Sequence, residues 1–170
     1  MNEWRWLPAL DGDPRALALY QRHYSCTNYA PLNRQFMPPG EKMVLLTLEC
    51  DALFGWLKNR VERYDHQVGV VCTVFRNESR HLSSSLIEEA SQIAWAKWPG
   101  ERLFTYVAAD KVASSNPGYC FIKAGWQKCG KSKGGLAILE CSPAGATANA
   151  VVAIPLISEG REDGWPNARE

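Results

Sequence analysis

Val68-Gly69-Val70-Val71-Cys72-Thr73-Val74-Phe75, followed by Arg76-Asn77-Glu78-Ser79-Arg80-His81-Leu82-Ser83-Ser84-Ser85-Leu86-Ile87-Glu88-Glu89-Ala90, is the stretch on which the fold turns. Residues 68–75 are rich in β-branched side chains and apolar at odd and even positions alike, the pattern of a central strand covered on both faces. From Leu86 the apolar residues Leu86, Ile87, Ala90, Ile93, Ala94 and Trp98 recur at helical spacing until Pro99-Gly100 stops them. A buried strand that empties through a polar loop straight into a helix aims the unpaired N–H groups and positive end of that helix at one point, a seat for pyrophosphate. The same serines also read as an ordinary helix cap, with Ser85 and Glu88 as a capping box. The segment alone leaves both readings open.

Upstream, Asp13-Pro14 starts a helix-length run over residues 13–25, because proline is tolerated in a first helical turn. Residues 28–42 follow with three prolines between 31 and 40, a long loop of functional length. MVLLTLEC (43–50) and ALFGWLKNR (52–60) suit a hairpin about Cys50-Asp51. Downstream, RLFTYVAA (102–109) reads as a strand, Asn116-Pro117-Gly118 to Gly125-Trp126 as a helix of barely two turns, and LAILE (136–140) as a further strand. The apolar run at 150–157 contains Pro155 and fits an edge strand or a packed tail. We expect one domain over residues 1–160 and a frayed tail over 161–170. The element order predicts a mixed α/β sheet sandwiched by helices.

At 170 residues and 46% hydrophobic, with seven Trp, the chain can bury a sizeable core, which excludes a disordered protein. A net charge of +1 gives no global basic field, so any contact with nucleic acid must come from a local patch. The six Cys form no CxxC pair and several lie in apolar runs, so they read as reduced thiols. No basic n-region opens the chain and no run of ~18 apolar residues occurs, so the expected location is the cytoplasm, with no membrane partner.

The whole arrangement resembles the GNAT superfamily of acyl-CoA N-acyltransferases over about residues 13–140. Its acyl-CoA loop reads Gln/Arg-x-x-Gly-x-Gly/Ala, and Arg80-His81-Leu82-Ser83-Ser84-Ser85 falls into that frame with Ser for both glycines. The resemblance implies that the strand after the long helix splays from its neighbour to admit pantetheine, and that the short helix flanks the cofactor arm. Acetyl-CoA or another acyl-CoA is the implied cofactor, held by Phe75, Arg76, Asn77, Arg80, Ser83, Ser84, Ser85 and Asn116. Many relatives carry a Tyr where this chain has Phe121; Tyr119 is the substitute hydroxyl.

A narrower resemblance is to the bacteriophage Mom proteins, which convert adenine in DNA to a carbamoylmethyl form and so evade restriction. It rests on Arg22-His23-Tyr24-Ser25, Phe75-Arg76-Asn77, the serine-bearing loop and Asn116-Pro117-Gly118-Tyr119. It implies DNA as partner, a bacterial host cytoplasm as location, and catalytic roles among Tyr119, Asp110, His23 and Tyr24. His23 and Tyr24 would line the acceptor cleft and stack on an extruded base, or be a dipole-facing cation and a packed aromatic. Tyr29, Arg34 and Lys42 in or beside the proline-rich loop would contact DNA, with Lys58, Arg60 and Arg63 at the hairpin end as further basic groups. No spacing is diagnostic of a metal, and none is expected. Two other functions fit the same sequence: an ordinary N-acetyltransferase for a small amine or a protein, which requires an acidic acceptor cleft, and a catalytically silent binding module.

Overall fold

A computed structural model describes residues 3–26, 35–111 and 116–143. Seven strands form one sheet in the order β1-β2-β3-β4-β5-β7-β6. They are β1 (Trp6–Ala9), β2 (Glu41–Thr47), β3 (Ala52–Lys58), β4 (Val70–Asn77), β5 (Leu103–Val107), β6 (Gln127–Lys131) and β7 (Ala137–Cys141). The helices are α1 (Pro14–Gln21), α2 (Ser83–Lys97) and α3 (Tyr119–Lys123). Only β4 and β5 run parallel; every other pair is antiparallel.

The mixed sheet has helices on both faces, as the element order predicts. One core cluster joins Phe54, Trp56, Val70 and Leu103 to Leu86, Ile87 and Ala90 of α2 and Phe121 of α3. The other joins Leu46, Leu53, Val71, Val74 and Phe104 to Ala16 and Leu19 of α1. Buried indoles tie α2 to the sheet: Trp6 donates to the Leu86 carbonyl at 2.8 Å and Trp56 to the Ala90 carbonyl at 3.1 Å. Each tryptophan thus buries a large apolar ring while its N–H stays satisfied.

Strand β4 lies fourth of seven, the central position its two-faced apolar run predicts. The hairpin about Cys50-Asp51 is also present. Thr47 Oγ1 donates to Asp51 and accepts from the Asp51 and Ala52 amides, closing the turn. Two edge strands, β1 and β6, lie outside the elements read from the sequence. Strand β1 is four residues long and carries Pro8, which an edge tolerates because one side of it needs no donors. Strand β6, Gln127-Lys128-Cys129-Gly130-Lys131, is exposed throughout and has no apolar alternation to betray it.

The capping box is corrected. Leu82 is the N-cap of α2 and makes no side-chain cap bond, while Ser83, Ser84 and Ser85 already belong to the first turn. The short helix ends where its sequence predicts but begins later, at Tyr119 and not at the Asn116-Pro117 pair, and is five residues long. Gly118 takes φ +81° at the N-cap, and Gly125 takes φ +88° just past the last turn. The Trp126 amide then donates to the Phe121 carbonyl and the Gly125 amide to the Ile122 carbonyl, both at 3.0 Å, the paired bonds of a Schellman ending. The run at 150–157 and the tail at 161–170 lie outside the described residues.

Candidate functional site

The chemistry-bearing residues gather where β4 and β5 part. These strands pair only through Val70↔Leu103, Val71↔Phe104 and Cys72↔Thr105, although β4 runs on to Asn77 and β5 to Val107. Between β3 and β4 the register shifts at this level: Trp56 faces Cys72 and Gly55 faces Val74, so Thr73 is an extra residue. A bulge bends the strand that holds it and sharpens its twist, which carries the far half of β4 away from β5.

The gap opens into a cavity of about 360 Å³ towards α2 and α3, lined among others by Phe75, Arg76, Asn77, Val107, Lys111, Gly118 and Phe121. A second cavity of about 320 Å³, lined by Pro38, Leu57, Asn59, Arg63 and Val71, lies on the α1 face. His23, Tyr24, Cys72, Thr73 and Tyr106 line both, so the two meet through the gap. Among the described residues neither lining contains a carboxylate.

His23 and Tyr24 reach the gap from the turn that ends α1, where the His23 amide donates to the Tyr20 carbonyl at 2.9 Å. Their rings lie 4.3 Å apart. Desolvation, then the Arg76 charge, pushes the His23 imidazole down to about 4, so it is neutral at physiological pH. Its Nδ1 lies 2.7 Å from Ser25 Oγ. The Tyr24 ring remains 45% exposed at the rim, and burial of its hydroxyl end raises the phenol above its ordinary value.

Arg76 leaves β4 beside the cavity, but its guanidinium is engaged: it donates to Glu78 and to the Arg22 carbonyl. Arg22 makes two 2.8 Å bonds to the same carboxylate. Held by Arg22 and Arg76 together, Glu78 is pushed down to about 2. This triangle fastens the end of α1 to the β4–α2 loop and thereby sets His23 against the gap. Inside the loop, Asn77 Oδ1 accepts from the Ser79 amide, and its Nδ2 donates to the His81 carbonyl and to Ser83 Oγ. The loop is therefore rigid. The first ladder bond of α2 runs from the Leu86 amide to the Leu82 carbonyl, leaving the N–H groups of Ser83, Ser84 and Ser85 without carbonyls of their own helix. Arg80 is exposed and unpaired among the described residues.

Other expected site residues sit apart from the gap. Tyr119 is 50% exposed on α3, with the Lys123 ammonium 5.4 Å from its ring centroid, and its neighbours Gly118, Cys120 and Phe121 line the cavity instead. Asp110 is exposed in the turn after β5, and its charge contributes to raising Tyr24. Asn116 accepts from Lys128 Nζ at 3.1 Å and from the Tyr119 amide. Lys42 pairs at 3.2 Å with Asp11, whose carboxylate is 1% exposed, so its charge serves the fold. Lys58 pairs with Glu101 at 2.6 Å. Tyr29 and Arg34 lie outside the described residues. Among the described residues no group of three or more His, Cys, Asp or Glu could hold a metal, and no helix is long and apolar enough to cross a membrane.

Sequence reasoning passed over Cys72, Tyr106 and Asn59, and it read Arg63 as a further basic group for DNA, whereas its guanidinium is held by Asp65. Tyr106 follows the last residue of β5 that pairs with β4 and donates to Asp65, which also takes Arg63 at 3.0 Å. Asp65, held by Arg63 first and Tyr106 second, is pushed down to about 2, and burial pushes Tyr106 up to about 12. The only available signal was the run Arg63-Tyr64-Asp65 in a turn, which is indistinguishable from a solvated one until the fold sets it against β5. The six Cys are all free thiols, and burial raises Cys72 and Cys120. No family model matches the chain, and no curated protein matches it.

Proposed function

We propose that this chain is a GNAT-type transferase that takes an acyl-CoA-like thioester on the α2 face of the gap and an adenine of DNA on the α1 face. The observation that carries the reading is the parting of β4 and β5 after Cys72 and Thr105, with a cavity on each side joined through it. The residues present fit the donor. The Ser83–Ser85 amides and Arg80 would receive a pyrophosphate, and the β4 main chain beyond Cys72, freed of β5, can hydrogen-bond an extended arm. When bound, such a donor supplies an activated carbonyl with a thiolate leaving group.

The chain's own residues handle the acceptor. Neutral His23 can take, through the Ser25 hydroxyl at its Nδ1, the proton the amine loses as its nitrogen bonds the carbonyl carbon, and the Tyr24 hydroxyl can protonate the departing thiolate as the C–S bond breaks. An imidazole held at about 4 is a weak base, so positioning at the gap has to supply much of the rate. The acceptor side favours a neutral amine over a protonated one. A lysine or polyamine acceptor needs carboxylates facing the cleft, and neither lining contains one among the described residues. Adenine's exocyclic nitrogen is neutral, although its lone pair is delocalised into the ring. Simple acyl transfer would leave an amide there, whereas the carbamoylmethyl group of Mom-modified DNA requires a different donor or a further component.

A second reading, a binding module without turnover, draws on α3, which presents Phe121 to the cavity and turns Tyr119 outward. Mass spectrometry of nucleosides from DNA of cells expressing the chain separates the readings. A new adenine adduct, absent with His23→Ala, is the expected result, and its mass distinguishes an amide from a carbamoylmethyl group. Unchanged nucleosides with acetylated proteins or metabolites would mark an ordinary acetyltransferase. No change in either would leave the binding module.

A further inference from the structure

The cavity on the α1 face is lined by both polar and apolar side chains. Its charged and phenolic groups are already engaged. Arg63 is bound to Asp65 through Nε at 3.0 Å and a terminal nitrogen at 3.2 Å, and Tyr106 donates to the same carboxylate. Thr73 Oγ1 is shared between Met37 Sδ and the Gly55 carbonyl, and His23 is against Ser25. Asn59, the cavity's single carboxamide, is half-buried and has no hydrogen bond among the described residues. It is the first residue beyond β3, and the Lys58–Glu101 ion pair and the Lys58↔Glu41 pairing hold the chain just before it. Pro38, Leu57 and Val71 supply apolar wall, with the exposed Tyr24 ring at the rim.

A carboxamide presents a donor beside an acceptor in one plane, which matches an edge carrying an acceptor beside a donor, such as N6–H with a ring nitrogen of adenine. The neutralised Arg63 offers little to a free anion, and the absence of carboxylates offers little to a cation. Resting on the adenine reading above, we propose that Asn59 is the specificity-determining residue that recognises the edge of the acceptor adenine. Its Oδ1 accepts one N6–H, its Nδ2 donates to the adjacent ring nitrogen, and the second N6–H is left facing the gap and His23.

The test is binding by the full chain, followed by ¹⁵N NMR, with a short single-stranded oligothymidylate carrying one adenine, the same strand with purine in place of that adenine, and free deoxyadenosine. Wild type should prefer adenine over purine by about ten-fold, the scale of one good bidentate contact, with the Asn59 NH₂ pair of signals moving on binding. In Asn59→Ala the preference should fall to within about two-fold while the remaining spectrum is unchanged. Asn59→Asp, which keeps the size and one acceptor, should weaken adenine binding as well, and it serves if the alanine variant misfolds. Adenine preference retained in both variants overturns Asn59 as the reader and leaves the acceptor reading standing. No binding of any probe to wild type overturns both. Deoxyadenosine binding as tight as the strand's supports the Asn59 contact while removing DNA as its source.

Discussion

His23 shows how a single side chain is set by partners far away in sequence. Its imidazole is held at about 4 chiefly because the gap desolvates it, and second because Arg76 stands near. The unfolded chain protonates His23 near 6.5, above the folded value, so stability from this residue is intact above pH 6.5 and falls as pH drops towards about 4. Glu78 and Asp65 act lower: both are depressed to about 2 in the fold, and their contributions are lost as pH falls below about 4.5 and 3.8 respectively. Urea unfolding of wild type and His23→Gln between pH 7 and 4 (roughly the window of the histidine shift) should show a slope that the variant lacks. Equal slopes would mean that the imidazole is hydrated. Arg76→Met should raise the His23 titration measured by NMR without restoring its ordinary value, since desolvation remains. Because Arg22 keeps Glu78, and both arginines are partly exposed, the loss of stability should stay under about 1 kcal/mol. An unmoved titration would show the Arg76 field to be screened.

The short helix α3 is the element whose ends depend on backbone conformation more than on contacts. A Cβ at Gly125 would meet nothing within 4 Å, so Gly125→Ala costs only the left-handed backbone, about 1–2 kcal/mol. At Gly118 the same substitution would also press on the Leu139 methyls at 3.1 Å, where α3 crosses β7. Chemical denaturation should therefore rank Gly118→Ala as the more damaging of the two; the reverse order would mean that Leu139 moves aside freely. The end of α3 was legible because glycine at a positive φ is a local requirement; its start was not, since Asn116-Pro117 offers a cap-like pair just before Gly118. Strand β6 was not, since its pairing with β7 is the whole of its strand character, and nor was the Leu82 cap, because a run of three serines offers several equivalent starts.

At the scale of the molecule, an extended ligand arm can enter only where the sheet is incomplete. If coenzyme A binds in the gap, amide hydrogen exchange should slow over residues 73–77 and at the start of α2, with the β6–β7 hairpin unaffected. Protection confined to the β6–β7 hairpin would place the ligand elsewhere and remove the donor site proposed above. Sequence alone determined the order of the main elements, the central place of β4 and the presence of helices on both faces, because apolar periodicity and turn chemistry act over a few residues. Only the tertiary structure decided the edge strands, the point at which β4 leaves β5, and the choice of His23 and Tyr24 over Tyr119 as the groups facing the gap. Those outcomes depend on a bulge defined by two strands and on an ion cluster joining residues 22, 76 and 78, and such relations exist only once distant parts of the chain have met.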